Sequence, residues 1–393
     1  MEIESWWLLA IPLFFGLGWF AARTDQRNAQ RPRGDLPDAY FRGLNFLLNE
    51  QSDKAIDAFV DVVRLDPETI ELHFALGNLF RRRGETDRAI RVHLNLAERS
   101  DIDARQRQHA LFELGQDYLK AGLLDRAEDA FTRLEGSSHG AAAMRHRLEI
   151  AQMVRDWPLA IALAGRLAGE SGEAVAIEVA HFHCELAVVA LASKATGCFD
   201  DARREIAAAA AGAPAHPRPR LLAGELALAE DDPDAAIAAW SVLRDTNPAY
   251  LGLVAKGWLA AHASLGDATR GIETLKAVHL GQPSIDTLSA IAEALAAQQG
   301  NEAALAWAEG ELRRQPSLLG LETLLGLRMA TSDGVRKSEC ELTRKLIQPQ
   351  ARRLARFVCG RCGFKARQFY WQCPGCSRWD TYAPKRTEEI ERG

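Results

Sequence analysis

Three hydropathy patterns follow one another along the chain. Residues 5–22 read SWWLLAIPLFFGLGWFAA and carry no charge. A helix of that length is about 27 Å long, enough for the hydrocarbon core of a bilayer. Trp6 and Trp7 stand at one end and Trp19 at the other, where amphipathic rings settle. Beyond this stretch small and large apolar residues alternate with charged ones in a 34-residue period. Gly43 precedes Ala55 by twelve residues, and the same step joins Gly77 to Ala89, Gly115 to Ala127 and Gly224 to Ala236. Aromatic residues keep register, with Phe46, Phe80 and Tyr118 in first helices and Phe59, Phe131 and Trp240 in second ones. The third pattern is a short aromatic and glycine-rich segment with paired cysteines near the end.

The 34-residue period predicts helical hairpins. Two antiparallel helices approach closely where side chains are small, so each Gly is expected to face its Ala, with the large apolar residues filling the groove to the next hairpin. Pro67, Pro214, Pro248 and Pro316 are expected to mark the ends of second helices, because proline lacks an N–H and clashes with the preceding turn. The middle is more degenerate: Ala160 and Ala202 look like second-helix alanines whose partner glycine has become Leu148 or Ala190. The period predicts about eight hairpins between Leu36 and Gln315, closed by a further helical piece from Leu318 to Gln348. Such a stack forms a superhelix whose concave face binds extended peptides or partner helices. Abundant alanine agrees with an all-α body.

Charge divides the chain. Residues 35–335 hold 30 Lys and Arg against 44 Asp and Glu, a net of −14; residues 336–386 hold 13 against 3, a net of +10. Arg23, Arg27, Arg31 and Arg33 follow the apolar stretch and no basic residue precedes it. The positive-inside rule therefore places the body in the cytoplasm. A cleaved signal peptide is the rival reading, but Glu2 and Glu4 stand where its basic segment would be. The linker over 23–38 reaches at most about 50 Å, which keeps the body near the membrane. Gly18 and Ala22 form one small-xxx-small pair, a slight hint of a homo-oligomer.

Cys359-Gly-Arg-Cys362 and Cys373-Pro-Gly-Cys376 form two C-x-x-C knuckles. Each is a tight turn whose amides point at the sulfurs, with Gly363 and Gly375 permitting it and Pro374 stiffening it. Four thiolates from two knuckles make a tetrahedral site for Zn2+, with iron as the alternative metal. The residues between the pairs, including Gln368, Phe369, Tyr370 and Trp371, suit a two-stranded ribbon. A segment this small needs the metal for stability. Thiolate ligation also requires a reducing compartment. The basic tail meets the acidic repeats, a partner or anionic headgroups, and aromatic burial by Phe357, Phe369, Tyr370, Trp371 or Trp379 is expected to seat the module on the array.

Other motifs carry less. Gly136-Ser137-Ser138-His139-Gly140 matches the G-x-S-x-G of serine hydrolases, but lies between helical hairpins instead of in a strand–turn–helix. His181 and His183 are two apart on a helix and point different ways, so they form no metal pair. Cys184, Cys198 and Cys340 read as buried apolar residues. No catalytic residue is assigned, and no flavin, nicotinamide or haem motif is found.

The acidic-led apolar stretch, the tetratricopeptide-type period and the terminal CGRCGF…WQCPGCSRWDTY together resemble the lipopolysaccharide assembly protein B family of Gram-negative bacteria. The resemblance covers the whole chain. It implies an inner-membrane, single-pass, cytoplasm-facing adaptor that is not an enzyme. Its partners would be the AAA membrane protease FtsH, the committed lipid A deacetylase whose degradation it promotes, and an inner-membrane regulator of lipopolysaccharide synthesis. The organisation expected is an anchor at 1–22, a linker at 23–38, repeats at 39–348, a rubredoxin-like zinc ribbon at 349–386 with Cys359, Cys362, Cys373 and Cys376 as ligands, and a tail at 387–393. A membrane-tethered iron electron carrier and a nucleic-acid-binding zinc ribbon are the other readings of the module; the anchor and the acidic body argue against nucleic acid.

Overall fold

Helix follows helix from Ser52 to Leu354. The computed structural model describes residues 19, 41–43, 45–46, 49, 51–65, 70–171, 174–193 and 195–392. The expected span over 5–22, Trp19 apart, and its linker lie outside the described residues. Among the described residues no helix is long and apolar enough to cross a membrane. The helices are α1 (Ser52–Leu65), α2 (Ile70–Arg83), α3 (Thr86–Glu98), α4 (Ala104–Lys120), α5 (Leu124–Thr132), α6 (Gly140–Val154), α7 (Trp157–Ser171), α8 (Ala176–Ala192), α9 (Cys198–Gly212), α10 (Pro217–Ala229), α11 (Pro233–Thr246), α12 (Ala255–Ser264), α13 (Ala268–Gly281), α14 (Ile285–Gln299), α15 (Asn301–Arg314), α16 (Leu318–Thr331) and α17 (Gly334–Leu354). A short two-stranded ribbon, β1 (Phe357–Val358) and β2 (Lys365–Ala366), and α18 (Thr387–Arg392) complete the chain. A 3₁₀ segment, Pro248–Val254, leads into α12.

The described chain forms two units, ending at Ile150 and beginning at Ala151. In the first, Ala55, Ala89 and Ala127 are wholly buried, as the period requires. The glycines also make a contact that was not expected. A Cβ on Gly43 would lie 2.6 Å from the Phe59 ring, one on Gly77 2.4 Å from His93, and one on Gly115 2.7 Å from Phe131. Each glycine thus lies against the ring sixteen residues later, four past the buried alanine at twelve. Helix geometry explains the shift: four residues past the alanine is one further turn along the same face. The ring thus packs inside its own hairpin and also reaches the next: Phe131 stacks on His146 at 5.0 Å, and a Cβ on Gly257 would lie 2.7 Å from the Trp240 ring.

Where the ring is His93, its polarity is met by a buried ion cluster. His93 Nδ1 lies 2.5 Å from Asp117 Oδ2, and both side chains are fully buried. Arg81 binds Asp117 at 2.8 Å and Glu113 at 2.5 Å. The G-x-S-x-G match lies in the turns after α5, where the Ser137 hydroxyl donates to Leu134 O and the His139 ring stacks on Phe112. It is a loop, as read from the sequence.

The second unit repeats the scheme. Ala160, Ala202 and Ala236 are wholly buried, and a Cβ on Gly224 would lie 2.2 Å from the Trp240 ring. Trp240 Nε1 donates to Leu221 O at 3.1 Å, so the largest ring of the period is also hydrogen-bonded. Pro214, Pro248 and Pro316 each stand two residues beyond the ends of α9, α11 and α15. α17 runs through the boundary expected at 348 as far as Leu354. Cys184 is buried, but Cys198 and Cys340 are only half-buried, contrary to the reading of all three as core.

The Gly224–Trp240 contact predicts an asymmetric response to one methyl group. Gly224→Ala is expected to lower stability by about 1–3 kcal/mol, measured by thermal or chemical unfolding. Gly165→Ala is the control, since nothing lies within 4 Å of its Cβ position, and it should be neutral or slightly stabilising.

Candidate metal centre and its seat on the repeats

The two knuckles have the same backbone. The Gly363 amide donates to Cys359 O at 3.0 Å, and the Ser377 amide to Cys373 O at 2.8 Å. The Cys359 amide donates to Phe364 O and the Cys373 amide to Arg378 O, both at 2.9 Å. The residue after each second cysteine is left-handed: Gly363 has φ 74° and Ser377 φ 54°. Gly375 serves differently from expectation, since its φ is ordinary and a Cβ there would press on Phe364 at 3.1 Å. The ribbon also differs. Phe357 pairs with Ala366 and Val358 with Lys365, so the strands flank the first knuckle, whereas Phe369, Tyr370 and Trp371 belong to no strand.

The four sulfurs converge. Cys359 Sγ lies 3.8 Å from Cys376 Sγ and Cys362 Sγ 3.7 Å from Cys373 Sγ, and all four lie within 4.8 Å of one another. A tetrahedron with metal–sulfur bonds of ~2.3 Å has edges of roughly 3.8 Å, so the donor set fits one thiophilic ion. Cys359 and Cys373 are buried, Cys376 is intermediate and Cys362 exposed. Amides of Cys362 and Gly375 point at Cys359 and Cys373 sulfurs at 3.5 and 3.4 Å. Burial pushes the Cys359 thiol up, but hydrogen bonds from the Thr381 side chain and the Cys362 and Arg361 amides outweigh it and bring it to about 6. These four cysteines could hold a metal.

Within the second unit the module is seated on the helices through aromatic rings. Trp371 stacks on Tyr250 with ring centroids 5.5 Å apart and planes 4° from parallel. Trp379 stacks on His181 at 4.4 Å and meets Trp157 and Phe182 edge-on. Trp379 Nε1 donates to Gln152 Oε1 at 2.9 Å. The guanidinium of Arg218, itself buried, lies 5.5 Å from the Trp371 ring and 5.7 Å from that of Trp379. Of the expected aromatics, Trp371 and Trp379 make the contact. Phe369 reaches Tyr250 edge-on at 6.3 Å, while Phe357 belongs to the module's own small core.

Beside these rings Asp380 receives two histidines. His181 Nε2 lies 2.8 Å from Asp380 Oδ2, and His216 Nε2 lies 3.2 Å from the same oxygen. This trio also brings three metal-type donor atoms within 4.8 Å, but its tautomers oppose a metal. The Arg218 guanidinium donates to His181 Nδ1 at 3.1 Å, and the Arg218 amide donates to His216 Nδ1 at 3.3 Å. Both Nδ1 atoms accept, so both Nε2 atoms carry the protons and donate to Asp380. Local structure sets this: His216 is the N-cap of α10, followed by Pro217, and its ring is engaged by the first free amide of the helix. The trio is a hydrogen-bonded latch. Burial lowers the His181 pKa, against the opposing pull of Asp380. Burial would raise the Asp380 pKa, yet the two histidine hydrogen bonds hold it far below the ordinary carboxylate range.

The expected tail is part of the seat. Glu388 accepts from the amides of Leu318 and Leu319 at 2.5 and 3.1 Å and from the Ser317 hydroxyl at 2.9 Å, at the start of α16. Glu389 accepts from the Ile285 amide at 2.6 Å, at the start of α14. Carboxylates suit helix N-termini, where free amides and the helix dipole favour negative charge. Arg386 forms a two-pronged ion pair with Asp286, at 2.7 and 3.1 Å, and lies over the Phe357 ring. His216, Arg218, Tyr250, Gln152 and the two glutamates were not singled out from sequence, and His181 was read only as half of a pair that forms no metal site. They are scattered over more than 200 positions with no common spacing, and only the fold assembles them. His183 does point away, to Glu205 at 2.7 Å.

Residues 357–384 match a family model described as a rubredoxin metal binding domain. The chain is 32% identical over 384 residues to lipopolysaccharide assembly protein B of Escherichia coli (strain K12), covering 96% of this chain and 97% of that one. It is 27% identical over 397 residues to the protein of the same name from Haemophilus influenzae, covering 97% and 98%. Among solved structures, the Naa15/Naa10 complex bound to HypK is similar with a TM-score of 0.40 and 18% identity, covering 79% of this chain and 53% of that one.

Two predictions follow from this geometry. Cys373→Ser leaves three thiolates and is expected to abolish stoichiometric metal binding, read by elemental analysis, while far-ultraviolet circular dichroism keeps the helical signal of the repeats. The second concerns pH. Burial, part of it supplied by the Trp379 ring stacked on His181, lowers the His181 pKa below that of an exposed imidazole, 6.5, so a state in which the ring is exposed binds more protons between the two. Docking is therefore at full strength above about pH 7 and weakens as pH falls below about 6.5. Hydrogen exchange of residues 371–382 in metal-loaded protein, compared at pH 7.5 and 5.5 after correction for intrinsic rates, should show faster opening at the lower pH, and His181→Gln should flatten the difference.

Proposed function

Because the chain belongs to the lipopolysaccharide assembly protein B family, we propose that it is a non-catalytic adaptor for lipopolysaccharide synthesis, tethered to the inner membrane by residues 5–22 with its bulk in the cytoplasm. In this reading the helical hairpins hold protein partners, and the chain presents the committed lipid A deacetylase to the membrane protease FtsH, under restraint by an inner-membrane regulator. The observation that carries the adaptor reading is the seating of the cysteine module. Its two tryptophans, its Asp380 and the tail glutamates are all engaged by the repeats. A carrier that shuttled electrons between partners would gain nothing from such a seat, whereas a binding surface gains a fixed shape.

Cys359, Cys362, Cys373 and Cys376 hold the metal in this proposal, and zinc is the ion. Zinc supplies a cross-link without redox chemistry, letting a segment with a very small core keep its form. The chain's own residues do the rest. Trp371 and Trp379 fill the space over α8 and α10, Asp380 orients the two histidine rings, and Arg386 with Glu388 and Glu389 ties the module's far end to α14 and α16. The metal thereby acts on partners through the surface of the repeats.

Depletion of the protein in its own bacterium, with pulse-chase of the deacetylase, tests the function. The deacetylase is expected to persist several-fold longer on depletion, and the wild-type chain should restore its turnover. Asp380→Ala should restore it poorly while still binding one zinc per chain. Deacetylase turnover indifferent to depletion would defeat the adaptor reading, and a red, iron-loaded protein would defeat the assignment of zinc.

A further inference from the structure

The basic segment is only partly used by the seat. Arg386 pairs with Asp286, and Arg344 approaches Glu322 at 3.8 Å. On α17 itself the sequence places six Lys and Arg against two Glu, a net of +4. Lys345 is matched within the helix by Glu341 at 2.9 Å. Arg336, Lys337, Arg352 and Arg353 are exposed and make no ion pair among the described residues.

The same helix exposes an apolar line. Val335 is 74% exposed, Leu342 60% and Leu346 73%, and Pro349 is exposed beside them. At about 100° per residue these four positions fall within a wedge of roughly 60°, which Arg353 continues toward the C-terminus. Arg336 stands at about +100° from its start, with Lys345 and Arg352 at about −80° and −100°, so cations flank the line on both sides. Glu339 is the one carboxylate along it. A terminal helix of a repeat array ordinarily turns a polar face outward. This one turns outward leucines bordered by arginines, the arrangement of a helix lying in a membrane interface, whose long cationic side chains reach up to headgroups.

We propose that the outer face of α17 docks on an anionic phospholipid surface. Charge selects this occupant. Residues 35–333 carry a net of −14 and are repelled by such a surface, so the helix is where attraction exceeds repulsion. A second copy fits badly, because pairing two of these faces brings their cationic borders together. The inference rests on the membrane tether of the proposed function, which holds the body within about 50 Å of the bilayer and so raises the effective concentration for a weak, shallow contact. Docking there would orient the repeats relative to the membrane in which their partners lie.

A photoreactive benzophenone amino acid in place of Leu346 tests this in the full chain, reconstituted at one copy per nanodisc. Recovery of the chain with the nanodisc reports the tether alone. The expected result is a lipid adduct, detected by mass, with yield at least about tenfold higher in phosphatidylglycerol than in phosphatidylcholine discs, corresponding to about 1.4 kcal/mol, or one to two cations near the surface. The same probe in place of Leu280, which is 61% exposed on α13, should give none. With the chain retained on the disc, no adduct at 346, equal yields in the two lipids, or copy-to-copy crosslinks in liposomes would each overturn the proposal. Failure to remain on the disc would overturn the tether and the proposal with it.

Discussion

The carboxylate of Asp380 joins the cysteine-bearing segment to the repeats. It sits one residue from the Trp379 ring stacked on His181, and both histidine Nε2–H groups converge on it. Trp379 and Asp380 lie within four residues of Cys376, so their positions are tied to the geometry of the second knuckle. Asp380 itself takes a left-handed backbone conformation, φ 54°, and its amide donates to Trp371 O at 2.9 Å. The bond that shapes the module thereby also links its two anchoring tryptophans. A change in the cysteine cluster is felt at the repeats through these few atoms.

The latch works because Arg218 is buried behind it. Its guanidinium donates to His181 and to Glu185, the latter at 2.6 Å, and its own amide is the group that fixes the His216 tautomer. One residue thus dictates the proton positions of two rings. Low local dielectric strengthens such bonds and makes an unpaired member costly. Surface ion pairs contribute little by comparison. The opposite charges of body and tail therefore matter less to docking than the stacked rings and this small buried network. Arg386–Asp286 is the close ion pair joining the basic segment to an acidic repeat.

The repeats obey a similarly local rule. A ring on the second helix needs a glycine sixteen residues earlier, and the hairpin closes around that contact. Gly224 under Trp240 and Gly77 under His93 obey the same geometry with different chemistry. The tryptophan donates to a backbone carbonyl, while the histidine requires Asp117 and, through it, Arg81. The structure accommodates a polar ring in a core position by extending a hydrogen-bonded chain to the next hairpin.

The period, the proline stops and the cysteine spacing were legible because each is a short-range constraint. Helix pitch, a missing N–H and the bite of a C-x-x-C turn act within a few residues and leave a regular mark. The helical array, the knuckles and the convergence of four cysteines could be read on that basis, and so could the loop character of Gly136–Gly140. The sixteen-residue partner of each glycine was visible as a spacing but not as a contact, since Gly-to-Ala and Gly-to-ring steps differ by one helical turn on the same face. The pairing of Gln152 and His181 with residues near 380, and of Ile285 and Leu318 with Glu389 and Glu388, had no mark at all. Those contacts depend on how successive hairpins stack, a sum of many small packing rotations that no local pattern encodes. Sequence alone therefore determined which elements form and which atoms could bind metal; tertiary structure decided where the cysteine module rests, which histidines hold it and which cations are left facing outward.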